Sequence, residues 1–194
     1  MSKRISIYCS SSDILDEKYR RAARQFAEAA SLYGYTVVCG GGARGLMGEV
    51  TNMMLEKGGD VRGVVPRFME ELELRHPRLD RLKIVGSMSK RKELLREGCD
   101  AVVAMPGGIG TLDELMETAT LKKLGLFKGV VILFNVDGFY NRLIEFLDQL
   151  VEERFLDAGY RNDLKIVDSV ETLFATIETE EGCATAFNHL PNNG

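Results

Sequence analysis

The chain has 194 residues, 45% hydrophobic and 28% charged, with 25 Lys and Arg against 29 Asp and Glu for a net charge of −4. These proportions exclude a disordered chain and fit one globular domain, 1–194, that buries its own core. The acidic balance argues against a general nucleic-acid binder, and no run approaches the ~18 apolar residues of a membrane span.

The predicted elements alternate strand and helix. Ile5–Cys9 is a short apolar strand, and Glu17–Tyr33 carries apolar residues at helical spacing, ended by Gly34. Tyr35–Cys39 is a second strand; Gly40-Gly41-Gly42 leads into a helix near Leu46–Lys57, and Val61–Val65 is a third strand stopped by Pro66. Arg67–Arg81 is charged and irregular, a surface loop or a short helical flap. Leu82–Val85 is a strand, Lys90–Glu97 a helix, and Ala101–Met105 a strand buried on both faces. Pro106–Thr111 opens a helix that reaches about Leu124. Val130–Phe134 (strand), Tyr140–Val151 (helix), Leu164–Val167 (strand) and Val170–Ile177 (helix) complete the pattern, with 181–194 expected as a flexible tail.

Solid apolar strands alternating with helices predict a doubly wound, mostly parallel α/β sheet with helices on both faces, Rossmann-like. Such sheets bind ligands beyond the carboxyl ends of their strands. The loops Cys9–Ser12, Gly40–Gly48 and Pro106–Thr111 should therefore converge on one crevice.

Pro106-Gly107-Gly108-Ile109-Gly110-Thr111 is the strongest motif. Its glycines let backbone amides approach a ligand, and the following helix turns its positive end to the same place. With the Thr111 hydroxyl this reads as a phosphate cradle; the plainer alternative is a tight turn whose glycines only permit packing. Gly40-x-Gly42-x-x-Gly45 matches the dinucleotide fingerprint, but the acidic residue expected after the next strand is replaced by Pro66-Arg67. We therefore reject a dinucleotide and keep Gly40–Gly42, with Gly41 and Gly42 as the expected contacts, as a backbone wall beside a mononucleotide, with a plain turn as the alternative.

Lys90, Arg91 and Lys92 sit where a helix dipole disfavours cations, which suggests a nearby anion. Arg91 can fork onto a phosphate or a base acceptor; Lys92 is a second candidate, and Lys90 reads as solvated. Asp113 fits dipole compensation in a first helical turn. Glu114 and Glu117 share one helix face, and a carboxylate kept beside a phosphate suits a developing positive charge such as a ribosyl oxocarbenium ion. Ser10 is either a donor to the ligand or a turn former.

Four cysteines (Cys9, Cys39, Cys99, Cys183) form no C-x-x-C pair, and the only histidines are His76 and His189. No metal site is expected, Cys9 reads as core, and the protein is expected to be reduced and cytoplasmic, with no signal core after Met1.

Gly40-Gly41-Gly42 with Gly45-Leu46-Met47-Gly48, then Arg91-Lys92, then Pro106-Gly107-Gly108-x-Gly110-Thr111-x-x-Glu114, resembles the LONELY GUY (LOG) family of cytokinin riboside 5′-monophosphate phosphoribohydrolases, long mislabelled lysine decarboxylases. The similarity runs from about Ile5 to Asp157 and includes Asn135-Val136-Asp137-Gly138-Phe139-Tyr140. It implies a Rossmann-like homodimer that hydrolyses the N-glycosidic bond of a nucleoside 5′-monophosphate without metal or organic cofactor. It also implies Arg91 and Glu114 as the catalytic pair. Where the family has Met-His-x-Arg-Lys, this chain has Met88-Ser89-Lys90-Arg91-Lys92, and Met88 joins the expected substrate contacts.

The expected function is cleavage of AMP-like, N6-modified or plain, nucleotides to base and ribose 5-phosphate. Gly107, Gly108, Gly110 and Thr111 would hold the phosphate, and Glu117 would contact the ribose. A broader purine or pyrimidine nucleotide nucleosidase and a non-catalytic nucleotide or cofactor carrier on the same fold are the alternatives. Neither nucleic acid nor membrane is expected as a partner.

Overall fold

The computed structural model describes residues 3–71 and 75–187. Seven strands run β1 Arg4–Tyr8, β2 Thr36–Cys39, β3 Val61–Pro66, β4 Leu82–Val85, β5 Ala101–Ala104, β6 Val130–Phe134 and β7 Leu164–Val167. The helices are α1 Glu17–Leu32, α2 Gly45–Glu56, α3 Arg67–Glu71, α4 Met88–Arg96, α5 Ile109–Lys123, α6 Asn141–Glu152, α7 Ala158–Asp163 and α8 Val170–Phe187. The strands form one sheet in the order β4-β3-β2-β1-β5-β6-β7, and every pairing is parallel.

The solid apolar strands are explained by two separate cores. Ile5, Ile7, Val37, Cys39, Val103 and Ile132 pack on one face against α1, α2 and α8. There Phe26 stacks on Phe174 at 5.7 Å between ring centroids. Tyr8, Val38, Val64, Val102, Ala104 and Leu133 pack on the other face against Leu94, Leu95, Leu115 and Leu147 of α4, α5 and α6. Successive strand residues thus feed opposite layers, which is why each strand must be apolar throughout.

The sequence misplaces a few ends. Helix α4 begins at Met88, earlier than expected, because the Ser87 hydroxyl accepts the Lys90 amide at 3.2 Å as its N-cap. Helix α7 was not predicted; its six residues carry no apolar stripe, and the Asp157 side chain capping the Gly159 amide starts it. Helix α8 continues past Ile177 to Phe187, and the rest of the expected tail, 188–194, lies outside the described residues. The Arg67–Arg81 segment opens as the short helix α3 and returns at Arg75, which bridges antiparallel to Gly42. Among the described residues no helix is long and apolar enough to cross a membrane.

His76 anchors that return. Its amide donates to the Gly41 carbonyl at 2.8 Å, its ring Nδ1 accepts the Arg78 amide at 3.3 Å, and Nε2 lies 3.2 Å from the Asn52 side-chain oxygen. This arrangement needs the neutral ring with the proton on Nε2. Burial, then the Arg78 charge, pushes the imidazole below its ordinary value of 6.5. The unfolded chain thus takes up the proton first. Its contribution to stability is full above about pH 6.5 and is lost as the pH falls below it toward the depressed folded value. Urea melts across that window should show this loss in the native protein and a flatter response in His76→Gln.

Candidate active site

The order of the strands places the reversal of winding between β1 and β5. The chain leaves β1 for α1 on one face and leaves β5 for α5 on the other, so a crevice opens between the two loops. A cleft of ≈ 550 Å³ lies there. Its wall contains Cys9 to Ser12, Gly42 to Arg44, Met47, Met69, Arg91, Gly108, Gly110, Thr111 and Glu114. The three loops expected to converge do so.

The loops are tied to one another by backbone. The Ser10 amide donates to the Pro106 carbonyl at 3.2 Å, and the Leu46 amide donates to the Ser10 carbonyl at 3.0 Å. The Gly45 amide bonds the Asp13 carboxylate at 2.9 Å. Ser10 forms the turn, its hydroxyl accepting the Ser12 amide at 3.1 Å, and the residue lines the cleft.

Helix α5 begins at the cleft with Gly108 as N-cap, no side-chain cap and no acidic residue in its first turn. The glycines before it differ in purpose. A Cβ on Gly107 would lie 2.1 Å from Thr111 Oγ1, so that glycine serves packing. A Cβ on Gly108 or Gly110 would meet no protein atom within 4 Å, and neither has a positive φ. Internal packing therefore does not require glycine at either position. Both positions face open space on the cleft wall.

Arg91 and Glu114 meet at the cleft floor. Arg91 Nη1 lies 2.5 Å from Glu114 Oε1, with the side chains 9% and 11% exposed. Arg91 Nε donates to the Val64 carbonyl at the end of β3, 3.2 Å away. A Cβ on Gly40 would stand 2.2 Å from Arg91 Nη2, so the bare backbone at Gly40 makes room for the guanidinium. Burial raises the Glu114 carboxyl above the ordinary range, and the Arg91 charge opposes that rise. Below it, the Tyr8 hydroxyl meets Thr118 Oγ1 at 3.0 Å, and Thr118 donates to the Glu114 carbonyl at 2.8 Å. The catalytic candidate thus rests on a braced turn of α5.

Other expected contacts lie elsewhere. Lys92 is bound to Asp113 at 3.1 Å and to Glu117 at 2.5 Å, and Arg96 takes the other Glu117 oxygen at 2.7 Å. This cluster joins α4 to α5, and neither Lys92 nor Glu117 is on the cleft wall. Asp113 falls in the second turn of α5, because the helix starts at Ile109; its partner is Lys92, in place of the dipole. Lys90 pairs with Glu93 at 2.7 Å. Gly41 has φ +75 and would press a Cβ on Val65, which makes it a turn residue behind the wall. Met88 is exposed at the start of α4 and is also off the wall.

The sequence reading missed Arg44, Met47 and Met69. Met47 accepts the Gly42 amide on its sulfur at 3.0 Å, and exposed Arg44 stands 3.7 Å from Asp13. A cation two residues after the glycine run was the available signal for Arg44. Nothing in the irregular Arg67–Arg81 stretch pointed to Met69. Cys9 does line the cleft, but burial pushes its thiol well up, so it is not primed as a nucleophile. Among the described residues no group of three or more His, Cys, Asp or Glu side chains could hold a metal.

A family model described as possible lysine decarboxylase matches residues 47–177. A probable cytokinin riboside 5′-monophosphate phosphoribohydrolase of Oryza sativa subsp. japonica is 36% identical over 91% of this chain and 83% of its own length. An Arabidopsis thaliana cytokinin riboside 5′-monophosphate phosphoribohydrolase is 35% identical over 93% of this chain and 84% of its own. The chain belongs to the LOG family. The LOG fold also extends to a Moco carrier protein from Chlamydomonas reinhardtii, with a TM-score of 0.71 at 19% identity over 94% of this chain and 99% of that one. At that identity the likeness concerns the fold alone. The two residues that the LOG resemblance implied as catalytic, Arg91 and Glu114, are the buried pair described above.

Proposed function

We propose that the chain is a nucleoside 5′-monophosphate phosphoribohydrolase, splitting AMP-like nucleotides, N6-modified cytokinin nucleotides among them, into free base and ribose 5-phosphate. The observation that carries this reading is the buried Arg91–Glu114 pair facing the uncapped start of α5. An anion-binding helix end beside a buried carboxylate is a poor design for binding alone, because the two repel each other's ligands. It suits a substrate with a phosphate at one end and a sugar that becomes cationic at the other.

In this mechanism Gly108, Gly110 and Thr111 hold the 5′-phosphate, and the ribose lies toward Glu114. The C1′–N bond breaks and its electron pair leaves with the base. Water gives its hydroxyl to C1′ and its proton to the base. Ionised Glu114 stabilises the oxocarbenium-like sugar or orients the water, and Arg91 balances that carboxylate within a low-dielectric floor. The thioethers of Met47 and Met69, with the backbone of Gly42 and Ala43, offer the base a largely apolar wall.

A decarboxylase using pyridoxal phosphate would need a lysine for its Schiff base. The described cleft wall has none, and those residues do not fit that cofactor. The homodimer implied by the family belongs to this proposal too. It is supported by the apolar outer face of α5, where 82%-exposed Ile109 with Leu112 and Met116 lines a shallow groove. Cytoplasmic residence is likewise part of the proposal, supported by free Cys9, Cys39 and Cys99.

Purified protein incubated with AMP and isopentenyladenosine monophosphate is expected to release free base and ribose 5-phosphate, read by chromatography. A panel of other monophosphates separates a broad nucleosidase from a purine-selective one. Absence of base from every nucleotide would favour a carrier.

A further inference from the structure

Asn135-Val136-Asp137-Gly138-Phe139-Tyr140 has no side chain on the cleft wall, yet its conformation is tightly specified. Asp137 is held at φ +51 and pairs with Lys18. Asn135 accepts the Tyr140 amide at 2.7 Å through its side-chain oxygen and donates to Asn141 at 2.8 Å through its nitrogen. Phe139 packs edge-on against both Tyr19 and Tyr140. Asp tolerates this left-handed conformation, and the surrounding contacts hold the turn in it.

What the turn delivers is the Tyr140 hydroxyl. The residue is buried, and its phenol donates to the Met105 carbonyl at 2.6 Å. Met105 lies between β5 and the glycine loop. The β5–β6 ladder ends at Ala104 opposite Leu133, so β6 gives the next carbonyl no ladder partner. The Met105 amide is already bound to the Tyr8 carbonyl at 2.8 Å, and the Pro106 carbonyl to Ser10. The phenol therefore replaces a missing ladder donor at the point where the chain turns into the cradle. Burial pushes the phenol's pKa up, with the Gly107 amide opposing, so it remains a proton donor.

We propose that Tyr140 is a positioning residue for the phosphate cradle: its hydroxyl clasps Met105 and thereby fixes the path through Gly107 along which the amides of Gly108 to Thr111 face the anion. This inference rests on the phosphoribohydrolase reading of the cleft and extends it to a residue that touches no substrate. A tyrosine serving only as core filler would be replaceable by phenylalanine without cost to the ligand.

The test is Tyr140→Phe, with folding checked by circular dichroism and binding of AMP, ribose 5-phosphate and adenosine measured by calorimetry. The clasp predicts about a ten-fold loss for the two phosphate compounds and none for adenosine. An equal loss for adenosine and AMP, or no loss for either phosphate compound, overturns it. Asn135→Ala keeps the phenol but releases the Tyr140 amide, and should give a smaller loss, about three-fold, with the same selectivity. If Tyr140→Phe does not fold, unchanged phosphate affinity in Asn135→Ala overturns the clasp. Wild-type protein that binds AMP but releases no base removes the hydrolase reading and leaves the clasp to the binding data. Wild-type protein with affinity for neither phosphate compound overturns both.

Discussion

Replacing Glu114 with Gln is expected to lower turnover of AMP by about 10³-fold while the nucleotide still binds. The amide keeps the shape of the carboxylate and can still accept from Arg91 Nη1, so the floor of the cleft stays filled. What disappears is the negative charge facing the sugar. The same residue should set the acid limb of the wild-type rate. Burial raises its carboxyl, so the active ionised form is lost as the pH falls through a value above the ordinary carboxylate range. The Gln variant should show residual activity without that limb. A Gln variant with wild-type turnover would remove the mechanism, and calorimetry with AMP separates lost chemistry from lost binding.

Gly40→Ala is the second large effect, and it acts without touching the reacting groups. The new methyl would overlap Arg91 Nη2 at 2.2 Å and crowd the end of Met47 at 3.0 Å. Both are ends of flexible side chains, so the sheet should survive while the guanidinium moves. Losing its place means losing the Glu114 contact, and a displacement on the order of 1 Å at a reacting centre can cost about 10²-fold. We expect a folded variant with turnover lower by about that factor. The acid limb should also move upward, since Arg91 no longer opposes the desolvation of Glu114. Unchanged kinetics would mean that Arg91 tolerates another position.

These two residues show what the sequence does and does not make legible. Glu114 was readable because its chemistry conflicts with the glycine cradle beside it, and Arg91 because a cation at a helix start needs a reason. The strands and most helices were readable because each carries an apolar pattern set by two opposed cores. Gly40 could be read only as part of a glycine run: its true neighbour is a side chain from α4, far along the chain. Lys92 and Glu117 looked like ligand contacts for the same reason that Arg91 and Glu114 did. Only the packing of α4 on α5 reveals that they are bound to one another. Met69 was hidden because no periodicity marks the segment that brings it over the cleft. Local pattern thus reports the elements, while only the packing of distant side chains shows which charged pair lines the cleft and which lies outside it.

The central position of β1 also bears on how the protein matures. Its neighbours, β2 and β5, come from widely separated parts of the chain, and the cleft joins Ser10 to Thr111 across that seam. During synthesis β1 to β4 and α4 emerge before β5, and they carry Arg91 without Glu114. A ribosome-bound fragment ending before β5 would therefore hold half of the pair and be inert. Non-local parallel pairing forms slowly, so catalytic competence should appear only with the last strand insertions and serve as a stricter gauge of completed folding than helix content.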